Sequence, residues 1–408
     1  MKPRRYFALF VLVSVVLAAA AACRRDEGAS RRRAITFTAR DEAVYIVRDE
    51  GQPPALIMNM ADLEKPGHPA EFTNLFHLPP VPQGETGTCW AFAATSLLES
   101  DLRRLGREPV KLSEMHTVYW EYVDKARRFI RERGKSFLGQ GSQPDSALQR
   151  IKTYGLVRHE DYPGLPSGLT EHDHSELFSE IRKRLHDLAS REDWNEDKAV
   201  SEVRGVLDRV LGRPPDRITV DGRSLTPREY LTRELGLNPD DYVAFISTLA
   251  LPVHTRGEFD VPDNWSRAAD YHNLPLHEFY LTLLRALRRG YTATLSIDFT
   301  EPGYVPAEDA AVIPTFDIPA SHIDAAAREI RFAYGSTTDD HAVHCTGYKD
   351  YGGKGSWFLI KDSWKTAFEG RHAGYMFLRD DYIRMKTLMF VTHKSAVSDI
   401  LAKFPRDN

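Results

Sequence analysis

Gln83-Gly84-Glu85-Thr86-Gly87-Thr88-Cys89-Trp90-Ala91 is the stretch on which the reading of this chain turns. It puts a cysteine directly after a glycine-containing loop and at the start of a helical pattern. Trp90, Ala94, Leu97, Leu98, Leu102 and Leu105 recur at spacings of three and four, so a helix is expected from Cys89, with Gly106 as its stop. Thr86 or Thr88 is the expected cap. Cys89 then lies at the positive end of the helix dipole, which favours thiolate over thiol. Gly84 and Gly87 let the loop backbone come close to a bound molecule. Gln83, six residues before Cys89, is a second hydrogen-bond donor for an oxyanion. The plainer alternative is a small buried cysteine opening a core helix; it leaves the spacing to Gln83 unexplained.

The partner segment lies 252 positions downstream of Cys89, at His341. Asp339-Asp340-His341-Ala342-Val343-His344-Cys345 and Ser356-Trp357-Phe358-Leu359-Ile360-Lys361-Asp362 both read as strands, joined by a glycine-containing hairpin. Alternation puts His341, Val343 and Cys345 on one face and Ala342 and His344 on the other. Pairing of the two strands brings Asp362 beside His341, where a carboxylate orients the ring and stabilises its imidazolium. Nucleophile, base and orienter thus follow in the order Cys89, His341, Asp362.

Gln83, Gly87-Thr88-Cys89-Trp90, Asp340-His341-Ala342-Val343 and Lys361-Asp362-Ser363-Trp364 together resemble the papain-like cysteine peptidases. Leu112-Ser113-Glu114-Met115, Val261-Pro262-Asp263-Asn264-Trp265 and the final Thr387 to Lys394 run narrow the resemblance to the bleomycin hydrolase and aminopeptidase C branch. The resemblance covers roughly residues 70 to 408. It implies an α+β, papain-like two-lobe fold, with a helical lobe, a β-rich lobe and a large helical insertion. It also implies Cys89 as nucleophile, His341 as general base and acid, and Gln83 with the Cys89 N–H as oxyanion hole. Trp364 would shield the His341–Asp362 contact from water, and Gly87, Asp340 and Trp364 would meet the substrate. The family usually has asparagine where this chain has Asp362. The added negative charge should raise the His341 pKa and move the pH optimum. In this branch the C-terminus tends to lie in the cleft, where its carboxylate meets the free α-amine of a peptide and selects its N-terminus.

Histidine, cysteine and carboxylates near His344 raise the question of zinc, but the strand period points His341 and His344 to opposite faces, so no metal or other cofactor is expected. A disulfide between Cys345 and Cys89 would abolish the chemistry; a buried free thiol at Cys345 is the expectation. The charged run from His172 to Gly212 mixes both signs in helical patterns, and a net charge of −4 argues against nucleic-acid binding. With 408 residues and 42% apolar content the chain can bury one large or two medium cores, and three cysteines are too few for a disulfide framework.

Residues 1–23 read as an export signal: Lys2, Arg4 and Arg5, then an apolar run from Phe7 to Ala22, closing on Ala20-Ala21-Ala22-Cys23. That ending resembles a bacterial lipoprotein signal with Cys23 as the lipidated residue. Ordinary cleavage and an uncleaved anchor stay open, and all three place the catalytic part outside the cytoplasm, in the cell envelope. The expected organisation continues with a tether and N-terminal extension (24–75), a helical lobe with the nucleophile (76–165), a helical insertion (166–289), a β-rich lobe with His341 and Asp362 (290–395) and a tail (396–408). The expected function is a cysteine peptidase, an aminopeptidase before an endopeptidase, acting on peptides through a thioester. The branch often forms homo-oligomers. The alternatives are a lipid-anchored peptide-binding protein that has lost turnover, and a transferase-like enzyme using the same triad.

Overall fold

The computed structural model describes residues 55–165, 168–352 and 355–405, together with two upstream strands, β1 (Ile35–Thr36) and β2 (Ala43–Ile46). The proposed signal and Cys23 lie outside the described residues. β3 (Ala55–Met58) pairs with β2 to complete a three-stranded sheet.

The first half is mainly helical, with α1 (Cys89–Arg104), α2 (Glu114–Arg131), α3 (Pro144–Tyr154), α4 (Ser175–Ser190) and α5 (Glu196–Val210). Local chemistry marks the boundaries. Ser113 Oγ accepts from His116 N to cap α2, and Pro144 opens α3 where its missing N–H costs nothing. Asn195 caps α5 through Lys198 N. The hairpin β5 (Ile218–Val220) and β6 (Arg223–Leu225) follows, with a short helix, α6 (Pro227–Glu229). Its capping box is closed by Thr226 and Glu229.

A large mixed sheet occupies the second half. After β4 (Thr73–Asn74), its strands are β7 (Tyr242–Ile246), β8 (Arg256–Gly257), β9 (Tyr271–Asn273), β10 (Ala293–Ile297), β11 (Tyr304–Val305), β12 (Ala310–Ala311), β13 (His341–Asp350), β14 (Ser356–Lys361), β15 (Tyr375–Arg379) and β16 (Thr387–His393). Their order is β11-β12-β15-β14-β13-β10-β16-β7-β9-β8, with β4 added beside β13. Four further helices lie in this half: α7 (Leu276–Arg288), α8 (Ala325–Ala333), α9 (Asp380–Lys386) and α10 (Ser398–Leu401).

The fold is therefore mixed helix and sheet, as the α+β expectation had it. Within 166–289, where a helical insertion is expected, α4, α5 and α7 are helical, while Tyr242–Ile246 pairs with β16 and Tyr271–Asn273 pairs with β7, so these stretches extend the main sheet. The run Tyr242 to Ile246 is short and apolar, and only its long-range partner β16 decides that it is strand.

Both faces of the sheet are covered. Ala342, Met389 and Val391 belong to one core with Trp90, Leu97 and Leu98 of α1. Val343, Cys345, Leu295 and Phe390 belong to another with Phe279 and Leu283 of α7 and Tyr382 of α9. Coverage on both faces explains why β10 and β14 are buried at every position and β13 at most of them, polar residues such as Thr294, Ser296, His344 and Thr346 included.

Candidate active site

Cys89 is the first residue of α1 and is partly exposed. Thr88 is the N-cap residue, but its hydroxyl bonds the Thr86 hydroxyl at 2.6 Å and caps nothing. The expectation of a threonine cap is therefore corrected. Ala91 N bonds the Thr88 carbonyl (2.9 Å), so in the uncapped first turn the N–H groups of Cys89 and Trp90 are the ones left for an anion.

The loop before Cys89 is held from several sides. Gly84 has φ +67°, and a Cβ there would lie 2.2 Å from the His172 carbonyl oxygen. Only glycine fits that turn. Gly87 N donates to Gln140 Oε1 (2.9 Å), and Trp90 Nε1 donates to the carbonyls of Gly87 and Gln140. Gln83 is 2% exposed. Its backbone N–H donates to Ser363 O (2.8 Å), and its Oε1 accepts from Ser363 Oγ (2.7 Å). One Nε2 hydrogen goes to Thr86 O at 2.6 Å, leaving the second free for another acceptor.

His341 opens β13, and the approach to it is anchored by buried charge. Lys386, fully buried, donates to Thr337 Oγ1 (2.7 Å) and Ser336 O (3.1 Å) and lies 3.5 Å from Asp298. Asp298 in turn accepts from Thr338 N (2.9 Å). Gln143, at the start of α3, bridges Asp339 and Ser296 Oγ.

In the register of β13 with β14, His344 faces Lys361. His341 and the next residue, Asp362, therefore meet diagonally. His341 Nε2 bonds Asp362 Oδ1 at 2.7 Å, and the same oxygen accepts from Ser363 N (2.6 Å) and Trp364 N (2.9 Å). Asp362 Oδ2 is buried and has no partner among the described residues. Burial opposes charge on His341. The Asp362 carboxylate and the nearby Cys89 sulfur outweigh it and hold the imidazole pKa well above its ordinary value. The ring thus has the carboxylate in hydrogen-bond contact and the sulfur close by.

The neighbours separate as alternation demands. His344 turns to the other face, where Nδ1 bonds Ser96 Oγ of α1 at 2.8 Å. Burial holds its pKa well below the usual value, so it is neutral. Cys345 is a free, buried thiol, and burial pushes its pKa up. Among the described residues no group of three metal-ligating side chains is found.

Trp364 is half-buried and touches the site through its backbone N–H; Lys365 Nζ lies 5.4 Å from its ring centroid. The ring against His341 is Phe299, with centroids 5.3 Å apart and Phe299 itself stacked on Tyr304. Asp340 is exposed and accepts from Phe299 N (3.1 Å). Sequence reasoning missed Phe299, because an aromatic just past a strand carries no local signal. It also missed Ser363 as the anchor of Gln83, although Ser363 lies inside the Lys361-Asp362-Ser363-Trp364 motif.

The tail packs away from these groups as far as it is described. Phe404 is buried against His272 (4.6 Å) and His254 (5.7 Å), Lys403 pairs with Glu278 of α7, and Pro405 O accepts from Arg256 Nη2 (3.2 Å). The last three residues lie outside the described set.

No family model matches the chain, and no curated protein does. Among solved structures, PepW from Lactobacillus rhamnosis HN001 (DR20) matches with a TM-score of 0.66. The two chains share a fold. The match covers 81% of this chain and 83% of PepW at 20% identity. At that identity the likeness to PepW speaks for the architecture, and the chemistry rests on the residues themselves.

Proposed function

We propose that this protein is a papain-like cysteine peptidase with its active site between α1 and the edge of the β13–β14 pair. The observation that carries the reading is the contiguity of Cys89, His341 and Asp362, with Gln83 pinned beside them by Ser363. The fold likeness to PepW agrees with it.

In this reading the Cys89 thiolate attacks the peptide carbonyl. The oxyanion is met by the Cys89 N–H and the free Nε2 hydrogen of Gln83. His341, kept charged by Asp362, gives its proton to the leaving amine. The neutral ring then takes a proton from water, which attacks the thioester, and the acid product leaves. An orienter that bears a full charge makes the imidazolium unusually persistent, so the working range extends to alkaline pH.

The finer reading is an aminopeptidase exported to the cell envelope, held by lipid at Cys23 or released there. It rests on the motifs of the branch and on the pattern of residues 1–23. The test uses the chain without residues 1–33 and an aminoacyl amide, free or N-acetylated. Turnover of the free amine alone supports exo-cleavage; equal turnover of both supports an endopeptidase. Turnover that survives Cys89→Ala rejects the peptidase assignment.

A further inference from the structure

A second cavity, of about 350 Å³, lies apart from the catalytic groups. Its walls include Ile246, Leu251, Phe259, Phe332 and Leu388, and none of Gln83, Cys89, His341 or Asp362 lines it. Leu388 follows Thr387, which pairs with Ile297, and Ile297 faces His341. Two strand spacings, about 10 Å, therefore separate the cavity wall from the catalytic histidine. The volume is in the range of small-molecule sites, which are mostly apolar with a few placed polar groups.

The placed polar group here is Arg328 of α8. It lines the cavity and is 2% exposed. Its Nη2 donates to Leu388 O (3.2 Å), and its guanidinium carbon lies 5.1 Å from the Phe279 ring centroid. Its Nη1 is buried and has no partner among the described residues. The adjacent Glu329 does not neutralise it by contact: its two oxygens accept from Thr248 Oγ1 (2.8 Å) and Leu249 N (3.0 Å). Glu258, also on the wall, is held by Arg267 at 3.0 and 3.2 Å, and Asp260 is exposed to solvent. Burial pushes the Arg328 pKa down to about 10, so it is still a cation at neutral pH. Ser247, Thr248, Arg267 and Glu329 also line the cavity, so its wall is mixed, and a buried guanidinium with an open donor on that wall is a costly arrangement for structure alone. A planar anion completes it.

We infer that this cavity binds a small carboxylic acid with a branched or unbranched apolar body, its carboxylate on Arg328 and its body against Phe259, Phe332 and Leu251. The inference stands apart from the peptidase reading, because no catalytic residue takes part.

The test is calorimetric titration of the chain without residues 1–33, using N-acetyl-leucine as the probe and N-acetyl-leucinamide as the uncharged control. Saturable binding of the acid, at least tenfold tighter than the amide, is expected. Arg328→Met should weaken acid binding at least tenfold while the thermal midpoint holds or rises, since an unpaired buried charge is removed. If that variant does not fold, Ala250→Trp, at an exposed position on the wall, fills the cavity and should abolish binding. Alkylation of Cys89 with iodoacetamide should leave acid binding intact. No saturable binding, equal binding of acid and amide, retained binding in both variants, or loss on alkylation would each overturn the inference.

Discussion

Replacing Asp362 by asparagine isolates what a charge adds at the orienting position. The substitution keeps the atom that matters for geometry: Oδ1 still accepts from His341 Nε2, Ser363 N and Trp364 N. It loses no bond at Oδ2, which has none among the described residues. What disappears is a negative charge whose oxygen lies 2.7 Å from the ring nitrogen. With charge centres about 4 Å apart and an effective dielectric of about 20, the attraction is about 4 kcal/mol. The retained dipole of the amide returns part of it, so the histidine pKa should fall. The alkaline limit of kcat/KM for an aminoacyl amide should move to lower pH, with activity near neutrality largely kept. Stability follows the same sign. His341 has a folded pKa above its unfolded value, so its contribution is complete below the unfolded pKa and is lost as pH rises through the folded one. Asp362→Asn should therefore narrow the stability difference between mildly acidic and alkaline buffer, read from thermal midpoints. An alkaline limit that stays in place, or rises, would refute the electrostatic account.

Further outcomes follow from other contacts. Ser363→Ala removes the donor to Gln83 Oε1; kcat should fall roughly 2- to 13-fold with KM little changed, for a hydrogen bond worth about 0.5–1.5 kcal/mol. Phe299→Ala uncovers His341, and kcat/KM should fall roughly 2- to 10-fold, the equivalent of one ring contact. Gly84→Ala forces a Cβ into the His172 carbonyl at positive φ, so both the thermal midpoint and turnover should drop, with a cost of at least ~1–2 kcal/mol. Lys386→Met takes the shared cation from the carboxylates of Asp298 and Glu301 and should cost about 3–5 kcal/mol in denaturant unfolding, by removing one partner of a buried ion-pair cluster. Mass mapping after brief iodoacetamide treatment should find label on Cys89 and none on the buried Cys345.

The geometry of the candidate site was legible because it is written locally. Cys89 is announced by the loop before it and the helical spacing after it. The diagonal meeting of His341 and Asp362 follows from strand alternation and a hairpin. The same alternation sends His344 to Ser96 of α1. What is written locally was also misread where a neighbour competes: Thr88 stands at the cap position, yet its hydroxyl is taken by Thr86.

Amino-acid order alone thus determined the helix that begins at Cys89, the strands that carry His341 and Asp362, and the faces on which their side chains stand, because these depend on periods of 3.6 and 2 within a few residues. Tertiary structure decided the rest. That Tyr242–Ile246 joins the main sheet, that Phe299 and not Trp364 supplies the ring against His341, that Ser363 pins Gln83, and that Arg328 lies buried with an open donor all depend on partners tens to hundreds of positions away. Such pairings are chosen by burial and hydrogen-bond completion over the whole fold, and no short window of sequence contains them.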